Sequence, residues 1–453
     1  MNNQSSDVDV VVVGAGFSGL TVARNLKQAG ASVVVLEADD RVGGRGKPGS
    51  IAGQVMDVGG QWVATNQTHL LALADELGVK TYPQYVEGDH ILDVEGRVAH
   101  YKEGEDLPLE PADLAEFNRL MGELNALTGK IDVAAPWTLE GAAALDAQTV
   151  ESWLLNSTDS KPARAAFRLI AQVVFCGEAG QLSLLNLITV AAAGEGIGHM
   201  AGSRGGAQDS LFVGGMWQLA AKMAEQLGDV VVVNAPVRSI AQTTDGVTVT
   251  SDAGVWTAAL AVVTAAPAMA GRISYTPPMP PRRDSFTQRM PMGSIIKVHI
   301  AYETPFWRAK GLSGSILSDR AATAWYDMSY PGVERGGLVG FFAGGYAQAW
   351  ADRSRDERRA RVVEDIARYL GPEARAPIDY VDEVWPANAW QRGAYFATPG
   401  PGVLTHFGQA LREPVGRIHW AGTETADVSI GYFEGAIQSG GRVADDCIKL
   451  LKS

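Results

Sequence analysis

The stretch that decides the fold is VVVVGAGFSGLTVARNLKQAGASVVVLE, Val10 to Glu37. Val10 to Val13 is an unbroken apolar run, as expected of a strand buried on both faces of a parallel sheet. Leu20 to Gln28 reads as a helix that Gly30 ends. Ser32 to Leu36 is a second strand, closed by Glu37. Between the first strand and the helix, Gly14, Gly16 and Gly19 stand in GxGxxG spacing. The first lets the chain turn sharply, the second admits a pyrophosphate against bare backbone, and the third lets helix and strand pack closely. The helix start, with Ala15 and Ser18, offers free N–H groups and a partial positive charge to phosphates. Glu37, with Ala38 beside it, can accept hydrogen bonds from an adenosine ribose and would repel a 2′-phosphate. A lone glycine motif is weak, but here strand, helix and terminal acid occur together, so the segment reads as a dinucleotide site.

Outside this unit, composition narrows the possibilities. With 453 residues, two domains are the natural expectation. A formal net charge of −13 argues against a nucleic-acid partner and against an anionic membrane surface. Cys176 and Cys447 are the two cysteines, too few for a disulfide framework, so the chain reads as intracellular and cytoplasmic. The start, MNNQSSDVD, has neither a basic region nor a cleavable apolar stretch, and no signal peptide is expected. No apolar run reaches the roughly 18 residues of a membrane span. No metal cluster is apparent.

Two further features favour FAD over NAD. DRVGGR follows Glu37 closely. Its Gly43 and Gly44 would let backbone approach a cofactor, and Arg45 can neutralise pyrophosphate or a flavin's charge. Near the other end, WAGTETADVSIGYFEGA places Gly422 and Glu424 in a tight turn before a helix. An acid there can bind a ribityl hydroxyl, and the helix start near Phe433 can face the flavin pyrimidine oxygen. Taken alone, each feature also reads as an ordinary turn or cap.

The rest of the chain alternates two patterns. Residues 82–209 read as mostly helical, with no dinucleotide signature. Asp245-Gly246 sits between two alternating runs and predicts a hairpin. TPPMPPRRDS reads as a crossing between domains. Gly293 to Tyr302 is another strand, and RSRDERRARVVEDIARYL a charged amphipathic helix with a solvated face. The domains are therefore expected to be interleaved: 1–82, 210–286 and 388–453 for the cofactor, and 83–209 and 287–387 for the substrate.

Together these motifs resemble the flavin-dependent amine oxidase family, in particular monoamine oxidases and bacterial putrescine oxidases. The likeness runs nearly end to end through GAGFSGLTVARNL, VVVLEADDRVGGR, DVGGQWV, FVGGMWQLA, MGSIIKVHIAYETPFWR, GVLTHFGQALREPVGRIHWAGTET and GYFEGAIQSGGRVA. It implies an α/β fold, with a Rossmann-type FAD-binding domain interleaved with an α+β substrate domain, as in amine oxidases and p-hydroxybenzoate hydroxylase. It also implies FAD, a small-molecule amine oxidised to an imine, and O2 as the acceptor. Lys297 matches a lysine that holds a water against flavin N5, although by itself it reads as an exposed lysine on an alternating strand. Tyr395 and Tyr432 match two rings that cage the amine, and Gln208 a substrate-side glutamine. Trp385 matches a tryptophan beside the flavin, and Val237 a position whose backbone meets adenine. Gly60, Gln61 and Trp62 match a segment passing under the flavin. A homodimer is compatible with the sequence, which does not specify it.

Three departures from the family pattern carry expectations. Ala394 stands where several relatives have a cysteine bonded to the flavin, so the cofactor should be non-covalent. Gly46 and Pro48 replace the usual threonines after GGR. Ala324 falls where diamine-specific relatives place an acid, so a second cationic group on the substrate would lack its partner. Trp325 and Tyr326 are expected to wall an aromatic cavity. The rival reading is a flavin dehydrogenase or desaturase using another acceptor.

Overall fold

The computed structural model describes residues 5–452. Two sheets organise it. The first runs, in spatial order, Val231–Val232, Val33–Leu36, Ser5–Val13, Gly254–Val263, Val247–Ser251, Val237–Gln242 and Ser274–Thr276, with Ile418–Trp420 also paired to Gly254–Val263. Ser5–Val13 lies parallel to both neighbours, with Val10 opposite Val33 and Leu260. Its alternation divides the core. Val10 and Val12 face the helices Phe17–Gln28, Trp217–Leu227 and Phe433–Lys452, while Val11 and Val13 face Ile240, Val249, Ile418 and Trp420. A strand buried on both faces needs apolar residues at every position, which is why the run is unbroken.

The glycine spacing also has its physical reason. A Cβ on Gly19 would lie 1.9 Å from the Gly14 carbonyl oxygen, so the helix could not pack on its strand. Gly14 itself has φ of +105°, a conformation that L side chains rarely adopt.

The second sheet runs Asp379–Val384, Ile295–Tyr302, Gly336–Ala343, Ala324–Asp327, Leu312–Ser318, Asp89–Val94 and Arg97–Tyr101. On one face Ile296, Val298 and Ile300 pack with Val362 and Ile366 of the charged helix Arg355–Leu370. That helix opens with a capping box. Ser354 Oγ accepts from the Glu357 N–H at 3.3 Å, and Glu357 Oε2 accepts from the Ser354 N–H at 2.9 Å. The other face meets the helix Lys161–Phe175 and the first sheet's loops.

One expectation needs correction. Residues 82–209 are not mostly helical throughout, because Asp89–Val94 and Arg97–Tyr101 form an antiparallel hairpin before the helices begin. Glu95 and Gly96 have φ of +52° and +76°, the turn geometry that joins two strands in two residues. The alternation of DHILDVEGRVAHY carries this signal. The Pro-rich crossing also contains a short helix, Pro281–Thr287. No helix among the described residues is long and apolar enough to cross a membrane.

Candidate active site

Between the two sheets lies a cavity of about 690 Å³. It runs from Gly14, Glu37 and Val237 at one end to Ile170 and Tyr326 at the other. Of the cofactor-binding and catalytic residues expected from sequence, all but Ala15, Gly19 and Glu424 line it.

At the first end, Gly16 caps the helix Phe17–Gln28 without a side-chain partner, and a Cβ there would meet nothing within 4 Å. The helix start therefore faces the cavity with bare backbone, next to Ser18. The DRVGGR turn stacks on this loop, Gly43 N–H donating to the Ala15 carbonyl at 2.8 Å. Glu37 accepts from the backbone N–H of Ala15 at 2.5 Å and of Asp39 at 2.9 Å. Burial pushes its carboxyl above the usual range, and those two N–H donors oppose the shift. Ala15 thus orients the acid from outside the cavity. Glycine backbone, a helix start and an acceptor carboxyl make a cradle that fits a dinucleotide.

Glu424 is the main correction. It does not reach the cavity, where a ribityl hydroxyl was expected to meet it. Its Oε1 and Oε2 accept from Arg45 Nη1 at 2.8 Å and Nη2 at 3.2 Å, and Oε1 also accepts from the Ala397 N–H at 3.2 Å. Arg45 Nη1 donates as well to the Tyr395 carbonyl at 2.7 Å. Glu424 therefore holds Arg45, which lines the cavity, and both tie down the segment that carries Tyr395.

In mid-cavity, Lys297 is 3% exposed. Its Nζ donates to the Asp57 carbonyl at 2.7 Å, the Gly59 carbonyl at 2.6 Å and Gln61 Oε1. Three oxygen acceptors match the three protons of an ammonium. Burial pulls its pKa down, and the nearby Asp57 carboxylate resists that shift. Asp57, missed in the sequence reading, accepts from the N–H groups of Met216 at 2.7 Å and Trp217 at 3.1 Å, the start of the helix Trp217–Leu227. A Cβ on Gly60 would lie 2.6 Å from the Phe433 ring, so the segment beside Lys297 must pass there as glycine. Trp385 is fixed by its Nε1 donating to the Val58 carbonyl at 3.2 Å.

The far end is aromatic. Trp62 meets Tyr326 edge-on at 5.1 Å, and Phe341 stands 6.0 Å from Trp62 and 6.4 Å from Tyr395. Tyr432 lines the same space. Burial raises the phenol pKa of both Tyr395 and Tyr432. Gln208 lines it too: its Nε2 donates to the Met200 carbonyl at 3.1 Å, while Oε1 has no partner among the described residues. Trp325 does not share the wall with Tyr326. Strand alternation turns it to the opposite face, under Gly340. Ala324 shares the face of Tyr326 but is not among the lining residues. Ile170, Val173, Met200 and Leu317 also line this end, and nothing in their sequence context separates them from ordinary core. Glu37 is the sole carboxylate among the described lining residues, and it lies at the dinucleotide end.

A family model described as flavin containing amine oxidoreductase matches residues 17–448. The chain belongs to this family. It is an oxidoreductase acting on amines, with a flavin as its cofactor. It is 38% identical over 449 residues to a probable flavin-containing monoamine oxidase A of Dictyostelium discoideum, covering 98% of both chains. The structure of a putrescine oxidase bound to putrescine superposes with a TM-score of 0.94 at 37% identity, covering 98% of this chain and 100% of that one. Cyclohexylamine oxidase from Brevibacterium oxydans also superposes at 0.94, with 32% identity and coverage of 99% and 100%.

The Arg45–Glu424 pair generates a prediction. Glu424→Ala leaves a half-buried guanidinium unpaired and should lower stability by about 2 kcal/mol. It should also weaken flavin binding by about tenfold or more. Denaturant unfolding and titration of flavin-stripped protein with FAD measure the two effects; unchanged values in both would remove the role given to Glu424.

Proposed function

We propose that this amine oxidase family member converts a primary or secondary amine with an apolar or aromatic body to an imine, which water hydrolyses to an aldehyde, with O2 reduced to H2O2. For a primary amine the sum is R–CH2–NH2 + O2 + H2O → R–CHO + NH3 + H2O2. The observation that carries this reading is the far end of the cavity: phenols, other aromatic rings and aliphatic side chains, and no carboxylate among the described residues lining it. A second ammonium on the substrate would find no counterion there.

The cofactor in this proposal is FAD, held without a covalent bond. The glycine cradle, Glu37 and Arg45 would hold its dinucleotide portion, with Val237 beside the adenine. Gly60, Gln61, Trp62, Trp385, Gly422 and Phe433 would surround its ring system. When bound, FAD supplies the two-electron acceptor for the amine's α-carbon. Ala394 lines the cavity without a nucleophile, and neither cysteine is among its lining residues, Cys176 being buried behind Ala394 and Tyr395. The two sheets support the domain division proposed above, residues 1–82, 210–286 and 388–453 against 83–209 and 287–387.

The chain's own side chains have distinct tasks. Tyr395 and Tyr432 receive the amine between phenol rings, which favour a cation by roughly 0.5–2 kcal/mol and so aid capture. The Gln208 Oε1 accepts an N–H or O–H from the substrate. Lys297 places an amine, held by three oxygen acceptors, at the cavity floor beside Gly59 and Gln61. The apolar wall excludes water and orients the substrate's α-carbon. An ammonium must lose its proton before oxidation, and this free-base requirement fixes the pH behaviour.

Two outcomes follow. In a peroxide assay over an amine panel, apolar monoamines should turn over steadily, and kcat/KM should rise with pH as the amine deprotonates. Because burial raises both phenol pKa values, no falling limb from their ionisation should appear up to about pH 10, where an ordinary tyrosine titrates. A pH-independent rate would contradict the binding mode, and substrate oxidation without peroxide would show another acceptor. Acid precipitation should leave the yellow colour in the supernatant; colour in the pellet would show a covalent flavin.

A further inference from the structure

A second cavity, of about 260 Å³, lies beside the Val237 end of the first, and Ile273 lines both. Its walls come from residues 270–287 and from Trp420 on the strand Ile418–Trp420. One wall is Arg283, only 4% exposed. Its Nη1 donates to the carbonyls of Ala410 at 2.6 Å and Leu411 at 2.9 Å, and the guanidinium carbon sits 3.6 Å from the Trp420 ring centroid. Its Nε has no acceptor among the described residues, and neither does Trp420 Nε1.

The other arginine buried to this degree among the described residues is Arg358, which pairs with Asp382 at 2.7 Å. Arg283 has no such carboxylate. Asp284 also lines the cavity, but it is exposed and its Oδ2 accepts from Gln288 Nε2 at 2.7 Å. The Tyr275 and Thr287 hydroxyls donate to the carbonyls of Ala270 and Asp284. An unpaired buried cation is costly. With Nη1 on two carbonyls and Nε buried without a partner, Nη2 is the nitrogen left to give a carboxylate oxygen a charge-assisted hydrogen bond. Around it, Ala270, Ile273, Pro278 and Met279 are apolar.

We propose that this second cavity binds a small organic carboxylate with an apolar body, the carboxylate on Arg283 and the body against Ile273, Pro278 and Met279. The site is separate from the amine cavity and does not depend on the reaction assigned to it. Nothing in it transforms the ligand; the ligand supplies the counterion that the fold withholds from Arg283.

Thermal unfolding of the flavin-loaded protein with phenylacetate tests this. The Tm should rise saturably, by roughly 1–2 °C at ten times the Kd. Acetate at equal concentration should give a smaller rise. Met279→Trp, which fills the cavity and keeps Arg283, should abolish the shift while amine turnover stays unchanged. Arg283→Lys, which keeps the charge and loses the Nη2 donor, should weaken phenylacetate binding about tenfold and provides the test if the tryptophan variant does not fold. No saturable shift, an equal shift with acetate, or an undiminished shift in whichever variant folds would overturn the proposal.

Discussion

The structure turns on one buried residue, Asp57. Its carboxylate caps the start of the helix Trp217–Leu227, which packs beneath the first sheet. Its carbonyl accepts from Lys297 on the second sheet at 2.7 Å and lies 3.1 Å from Nε2 of the neighbouring His299. One residue thus couples a helix of one sheet to a strand of the other, across the cavity that both enclose. Breaking a buried charge interaction by removing one partner typically costs about 3–5 kcal/mol, because the other is left uncompensated. Here the coupling also fixes Gly59, Gly60 and Gln61, whose backbone and side chain pass along the cavity floor.

The same economy governs Arg45 and Glu424. The acid that looked like a ligand contact instead holds the cation that lines the cavity. Backbone N–H donors do for Glu37 what Arg45 does for Glu424. In both cases a carboxyl is buried with its donors already in place, so the cavity wall is set before anything binds. Preorganisation of this kind lets binding energy go into orientation of the reacting groups.

Legibility from sequence followed how local the signal was. Val10 to Glu37 was readable because strand run, glycine spacing, helix end and terminal acid all agree within 28 residues. The hairpin Asp89–Tyr101 escaped because short alternating strands stood before a long helical stretch and were absorbed into it. Trp325 and Tyr326 could not be told apart, since a one-residue error in strand register exchanges the faces. Ile170, Val173 and Leu317 look like core in sequence, and only the packing of a helix against the second sheet makes them a wall. Lys297, by contrast, reads as an exposed strand residue, and its burial depends on Asp57 and Gln61, some 240 positions away in the chain.

The proposed preference for a single amine on an uncharged, apolar body rests on the substrate end of the cavity. Anaerobic mixing of the flavin-loaded protein with an apolar monoamine or a linear aliphatic diamine, following flavin bleaching, tests it most directly. With no carboxylate to meet a second ammonium, the monoamine should reduce the flavin at least about tenfold more efficiently, a difference of about 1.4 kcal/mol in transition-state binding. Faster bleaching by the diamine, or no bleaching by any amine, would contradict it.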